Sequence, residues 1–204
     1  MLYQDTVILV FSKAPVEGQV NTRLIPDIGV EAATQLQYDL LHQRLQMLSA
    51  ADLCAVKLMC SPNKVHECFV ECEANYPVTL SEQVGNDLGE RLVNGVELAL
   101  KEYKFCIVIG TDAPALDAEV IKQAIETLQG NVDVVFIPAE DGGYVLVGMK
   151  YNHQCLFENI SWGNATVLQQ SLAALSNSKI SYQALKTLWD VDRIEDYRRY
   201  LALK

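Results

Sequence analysis

Residues Pro138-Ala-Glu-Asp-Gly-Gly-Tyr-Val-Leu-Val-Gly148 admit two readings, and the fold turns on them. Asp-Gly between apolar runs is a strong hairpin signal. As a hairpin, the stretch sets two antiparallel strands side by side. The same residues also surrender side chains at Gly142 and Gly143, next to the carboxylates of Glu140 and Asp141. A ligand can then lie against bare backbone. The rest of the chain has to arbitrate.

Working outward, short apolar runs alternate with amphipathic stretches. Thr6 to Phe11 is a continuous apolar run, as expected of a strand buried on both faces. After a loop from Ser12 to Gly29, Leu36, Leu40, Leu41, Leu45 and Leu48 recur at helical spacing over 31–49. Strands are predicted at 53–60, 78–80, 105–110, 132–137, 144–149 and 181–185. Helices are predicted from Ser61-Pro62 to about 73, at 87–102, 117–128 and 164–175, and from near Glu195. Asn164 is expected to cap the helix that follows it. Strands alternating with helices imply a mixed, mainly parallel sheet covered on both faces, with an antiparallel insertion near 132–149. No repeat or linker interrupts residues 1–204, which read as a single domain.

Composition narrows the partners. The net charge is -10 and the pI about 4.7, which excludes nucleic-acid backbones and anionic membranes, since both require clustered cations. Phosphate, if bound, must be held by a few local cations, helix ends or a metal. No apolar run is long enough for a membrane span, and no leader pattern is seen, so a reducing cytoplasm is the expected location. Of the six cysteines, Cys68 and Cys72 lie four apart with His66 close by. That spacing suggests a metal on a helix face, but four ligands are not visible, and the thiols are read as structural.

In a sheet of this kind, ligands collect beyond the carboxyl ends of the strands, where strand order reverses. The first strong strand runs into a loop with Ser12, Lys13, Gly18 and Arg23. Its backbone can turn towards a phosphate and its cations are scarce elsewhere; the alternative is a solvated surface loop. The second strong strand delivers Asp112 in Gly110-Thr-Asp-Ala-Pro114. A carboxylate there suits Mg²⁺, although Asp is also a favoured helix cap. Asp190 and Asp192 alternate in Leu188-Trp-Asp-Val-Asp-Arg193, placing both carboxylates on one side of an extended segment. Asp192 could equally cap the last helix. Gln83, Asp87 and Arg91 surround a helix start, another ready anion site.

In this order, Phe11 to Gly18 with Thr22-Arg-Leu24, Gln83 to Arg91, Gly110 to Pro114, Pro138 to Tyr144 and Asp190-Val-Asp192 resemble the DUF2064 family. That family is related to the cofactor-assembly guanylyltransferases within the nucleotide-diphospho-sugar transferase (GT-A) superfamily. The resemblance implies a three-layer α/β/α GT-A fold. It implies an NTP or NDP-sugar at the first loop, held by Ser12, Lys13, Gly18, Arg23, Gln83, Asp87 and Arg91. It implies Mg²⁺ or Mn²⁺ on Asp112, with Asp192 and Asp190 completing the site, and a small acceptor lined by Glu140, Gly142, Gly143 and Trp162.

The sequence departs from the family pattern in three places. Asn21-Thr22-Arg23 lacks one cation of the usual Lys-Thr-Arg, Trp162-Gly-Asn-Ala165 replaces Trp-Ser-Thr-Pro, and Asp190-Val-Asp-Arg-Ile-Glu-Asp196 replaces Asp-x-Asp-Thr-Pro-Glu-Asp. Glycosyl and nucleotidyl transfer both need a cation at the phosphates. Only transfer to a hydroxyl wants a base, for which Asp141 is the candidate. The rival readings are a nucleotide-binding protein without catalysis and a metal-dependent phosphohydrolase. Against the first stand Asp112, Asp141 and Asp192, which would repel one another without a cation. The sequence is silent on oligomeric state.

Overall fold

Val7 and Leu9 of the first strand face one hydrophobic core, and Ile8 and Val10 face another, all of them fully buried. This explains why the run could not alternate: both sides of the strand are inside. A computed structural model describes residues 1–203. Its strands are β1 (Thr6–Lys13), β2 (Ala55–Ser61), β3 (Thr79–Glu82), β4 (Phe105–Ile109), β5 (Val134–Pro138), β6 (Tyr144–Met149) and β7 (Tyr182–Ala184). Its helices are α1 (Ile25–Ile28), α2 (Val30–Ala51), α3 (Glu67–Asn75), α4 (Leu88–Leu100), α5 (Ala118–Gln129), α6 (Val167–Asn177) and α7 (Ile194–Leu201).

The strands form one sheet in the order β3-β2-β1-β4-β6-β5-β7. Only β6 runs against its neighbours, pairing antiparallel with both β4 and β5. One core holds Leu41 and Leu45 of α2, Phe69 of α3, and Ile121 and Ile125 of α5. The other holds Leu92 and Val96 of α4, Phe157, and Leu175 of α6. The fold is therefore three-layered α/β/α. A smaller cluster of Leu24, Leu36, Leu40, Trp189, Val191 and Tyr200 fastens the last helix to α2.

Strand order reverses between β1 and β4, so the crevice beyond their carboxyl ends is the natural ligand position. Most boundaries lie within a few residues of the sequence reading. Two expectations are corrected. The third helix opens at Glu67, not at Pro62, because His66 caps it by accepting from the Cys68 N–H at 3.3 Å. Asn164 does not cap α6; its carboxamide oxygen accepts from the Thr166 N–H at 2.9 Å, and the helix starts at Val167. A turn stabilised by its own side chain displaces the first helical residue.

Candidate active site

The Pro138–Gly148 stretch turns back on itself, as the hairpin reading expects. It is a hairpin, β5 to β6, and Gly142 sits at φ +94° in its turn. A β-carbon at Gly142 would run into the backbone of Ala165, so the turn needs glycine for conformation and for close approach. The Asp141 carboxylate accepts from the Gly143 N–H at 2.8 Å, which fixes it at the hairpin tip. Asp141 and Gly143 also line a cavity of about 230 Å³ together with Tyr144, Trp162 and Val167. The Tyr144 and Trp162 rings meet edge to face, 6.4 Å between centroids.

A second cavity, of about 340 Å³, lies beyond β1 and is lined by Ser12, Lys13, Asn21, Thr22, Gln37 and Gln83. The two share Phe11, Leu88, Gly110 and Asp112, so they are halves of one cleft with Asp112 at the junction. Gly110 belongs there for room: a β-carbon on it would stand 2.7 Å from Asp112 Oδ1.

Asp112 is not a helix cap. That task falls to Asp117, whose carboxylate accepts from the Val120 N–H at 2.9 Å. Asp112 itself opens onto the cleft. Dense protein behind it pushes its pKa upwards. Its backbone hydrogen bond and Arg44 pull the other way, while Asp141 and Asp192 push it further up. Asp190 is raised to about 7, first by burial, then by the charges of Asp112 and Asp141, with Asp192 adding to them. Asp112, Asp141 and Asp190 line the cleft, and the charges of Asp141 and Asp192 act on both Asp112 and Asp190.

The chain path explains the convergence. Leu188 donates to the Pro138 carbonyl and accepts from the Glu140 N–H, both at 2.9 Å, so this segment extends the sheet beside β5. The Val191 N–H then reaches the Asp112 carbonyl at 2.8 Å. Asp192 has a different partner. Arg23 Nη1 meets its Oδ2 at 2.5 Å, and Arg23 Nη2 donates to the Gly163 carbonyl at 3.1 Å. Arg23 therefore ties the first loop to the far side of the cleft mouth.

Several expected residues lie elsewhere. Asp87 caps α4 by accepting from the Glu90 N–H, and Arg91 donates to the Gly85 carbonyl; neither lines either half of the cleft. Glu140 pairs with Arg199 at 3.0 Å on the exposed side of the hairpin. Gly18 shapes the first loop at φ +73° without lining either cavity. Gln83 lines the half beyond β1 while its amide braces β1 and β2, donating to the Ser12 and Met59 carbonyls. Two residues of α2 escaped sequence reasoning. Buried Gln37 donates to Ser12 Oγ and the Lys13 carbonyl. Buried Arg44 donates to the Leu116 and Ala113 carbonyls and faces Asp112 electrostatically. An Arg on the apolar side of a helix was the available signal.

Residues 36–164 match the family described as "Uncharacterized protein conserved in bacteria (DUF2064)". The chain belongs to the DUF2064 family. No curated protein matches this DUF2064 chain. Among solved structures, a Desulfovibrio desulfuricans G20 protein provisionally named a nucleotide-diphospho-sugar transferase is 28% identical. It superposes with a TM-score of 0.84 over 93% of this chain and 83% of its own. A 4-diphosphocytidyl-2C-methyl-D-erythritol synthase from Anaerococcus prevotii DSM 20548 gives a TM-score of 0.62 at 10% identity, covering 98% and 99% of the two chains. A CMP:2-keto-3-deoxy-manno-octonic acid synthetase complexed with CTP gives 0.59 at 11%, covering 98% of each. These last two share the fold alone. The DUF2064 chain thus has the nucleotide-diphospho-sugar transferase fold, and no helix among its described residues is long and apolar enough to cross a membrane.

Proposed function

We propose that this protein is a divalent-metal-dependent transferase that moves a group from a nucleotide donor to a small acceptor. The observation that carries the proposal is the junction at Asp112, where a polar half-cleft from β1 meets an aromatic half-cleft from β6 among mutually repelling carboxylates. On this reading the donor lies along Ser12, Lys13 and Gln83. The acceptor lies against Gly143, Tyr144 and Trp162, and the bond that breaks sits over Asp112.

The donor set suits Mg²⁺ or Mn²⁺, because carboxylate oxygens are hard ligands. Among the described residues no trio of carboxylates comes within 4.8 Å, so no closed all-protein cage exists. Mg²⁺ is held in just this way, by one or two carboxylates with substrate phosphates supplying the rest. Asp112 and Asp190 are the fitting pair, since Asp192 is engaged by Arg23. When bound, the cation would neutralise charge gathering on the phosphate oxygens.

The chain's own residues have separable tasks. Lys13 offers a cation to the donor phosphates, and Gln37 holds the Lys13 backbone in place. Asp141, pinned by the Gly143 N–H, is oriented to take the proton of an acceptor hydroxyl. Trp162 and Tyr144 exclude water from that side.

Charge balance favours an NDP-sugar over an NTP. With Arg23 committed to Asp192, Lys13 is the basic side chain lining the donor half. A diphosphate ester needs one divalent cation for neutrality; a triphosphate needs more positive charge than this cleft supplies. A melting screen of NTPs, NDPs and NDP-sugars with Mg²⁺, Mn²⁺ or EDTA tests the reading. Saturation at about 100 times Kd adds roughly 2.7 kcal/mol to the folded state. Metal-dependent shifts with NDPs and NDP-sugars are expected. Shifts with NTPs alone would make it a nucleotidyltransferase, and none with any nucleotide would refute the proposal.

A further inference from the structure

We propose that His42, Cys68 and Cys72 form a zinc site on the far side of α2 from the cleft, independent of the acidic cluster. The two cysteines stand one turn apart on α3, and His42 comes to them from the middle of α2. Their ligand atoms all lie within 4.8 Å of one another. The histidine that the local sequence offers, His66, is not the partner, because its Nδ1 is spent on capping α3.

The geometry around His42 is that of a prepared ligand. Its Nδ1 meets the Tyr76 hydroxyl at 3.0 Å, and its ring lies against Tyr38, centroids 4.1 Å apart. With one ring nitrogen held by an oxygen and the ring clamped, Nε2 is left facing the Cys72 sulfur at 3.9 Å. Metal-binding histidines are oriented by this kind of outer contact. Tetrahedral zinc, with Zn–S about 2.3 Å and Zn–N about 2.0 Å, needs that pair to be roughly 3.5 Å apart. Closing that pair takes a few tenths of an ångström.

Chemistry points the same way. Two thiols and an imidazole select a borderline-soft cation, whereas the hard carboxylates of the cleft do not. Each thiol gives up its proton on binding, so two protons leave per zinc ion. Two thiolates and Zn²⁺ sum to zero, which suits buried sulfurs, since Cys68 and Cys72 are both inside the core. Half-buried His42 marks the side from which the ion enters and where a fourth ligand is added.

The test is to titrate the reduced, intact protein with Co²⁺, which reports on its ligands by absorption. One equivalent should produce thiolate-to-cobalt charge transfer in the near ultraviolet and strong tetrahedral bands in the red. Zn²⁺ should displace it stoichiometrically, releasing protons and raising the melting temperature. Cobalt in the acidic cleft, bound by oxygen alone, gives no charge-transfer band. The band should vanish in Cys72→Ser and weaken at least tenfold in affinity in His42→Gln, and persist in Cys155→Ser. Should Cys72→Ser fail to fold, His42→Gln decides, because His42 is only partly buried. Absence of the band in folded wild type, or a band unchanged in His42→Gln, overturns the proposal.

Discussion

The backbone N–H of Val191 donates to the carbonyl of Asp112 at 2.8 Å, joining the segment before the last helix to the end of the central strand β4. Residue 190 is thereby delivered to the cleft floor, where burial and three other aspartates raise its pKa to about 7. An ordinary aspartate in the unfolded chain titrates near about 3.9. Between those values Asp190 keeps its proton in the folded protein and loses it in the unfolded one, so its contribution to stability falls as pH rises from about 4 to about 7. Asp112, raised in the same direction, adds to this slope. Melting temperatures in EDTA across that range should show the decline, and Asp190→Asn should flatten it. A pH slope left unchanged in Asp190→Asn would contradict the electrostatic account.

Arg44 supports the cleft from behind. It is buried, donates to the carbonyls of Ala113 and Leu116, and remains a cation although burial lowers its pKa to about 10. Arg44→Met leaves both carbonyls without their donor, at a cost of about 2–4 kcal/mol. For a domain of this size that is roughly 5–15 °C of melting temperature. Differential scanning calorimetry checks it; a loss under about 1 kcal/mol would mean that the loop after β4 holds itself.

The hairpin glycines should separate fold from function. Gly142→Ala forces a β-carbon onto the Ala165 backbone at φ +94° and should cost about 1–3 kcal/mol of stability. Gly143→Ala places its β-carbon 3.2 Å from Asp141 Oδ1. It should melt within a few degrees of wild type yet lower kcat for the acceptor. Equal destabilisation by both would remove Gly143 from the acceptor wall.

Lys13 and Arg23 should differ in the same spirit. Arg23 and Asp192 are both solvent-accessible, so the pair contributes no more than about 1 kcal/mol. Arg23→Ala is expected to leave stability nearly unchanged and weaken donor binding less than tenfold. Lys13→Ala should weaken it more than tenfold, the loss of a charge-assisted contact of about 1.5–3 kcal/mol. Calorimetric titration with the donor found in the melting screen measures both. A larger loss at Arg23 would mean that its bridge to Asp192 opens to hold the phosphates.

The layers of the fold were legible because β1 and β4 are continuous apolar runs and α2 repeats leucine at helical spacing. So was the antiparallel strand, since Asp141-Gly142 is a turn signal that a parallel crossover does not need. The convergence of Asp112, Asp141 and Asp190 was not legible as geometry. It depends on the short addition of residues 188–191 beside β5 and β4, made by backbone hydrogen bonds that leave no side-chain signature. Gln37 and Arg44 were hidden for another reason: on α2 they read as ordinary polar breaks in a leucine pattern. Asp87 and Arg91 show what a helix start leaves open. Acidic and basic residues at a helix start suggested an anion site; in the structure Asp87 caps α4 and Arg91 donates to the Gly85 carbonyl.

The central claim is that Asp112 couples a divalent cation to nucleotide binding. The most direct measurement is Mn²⁺ binding followed by electron paramagnetic resonance, with and without NDP, in wild type and Asp112→Asn. The account predicts weak Mn²⁺ binding to wild type that tightens at least tenfold when NDP is present, and no such tightening in the variant. Mn²⁺ and NDP binding that remain coupled in Asp112→Asn would contradict it.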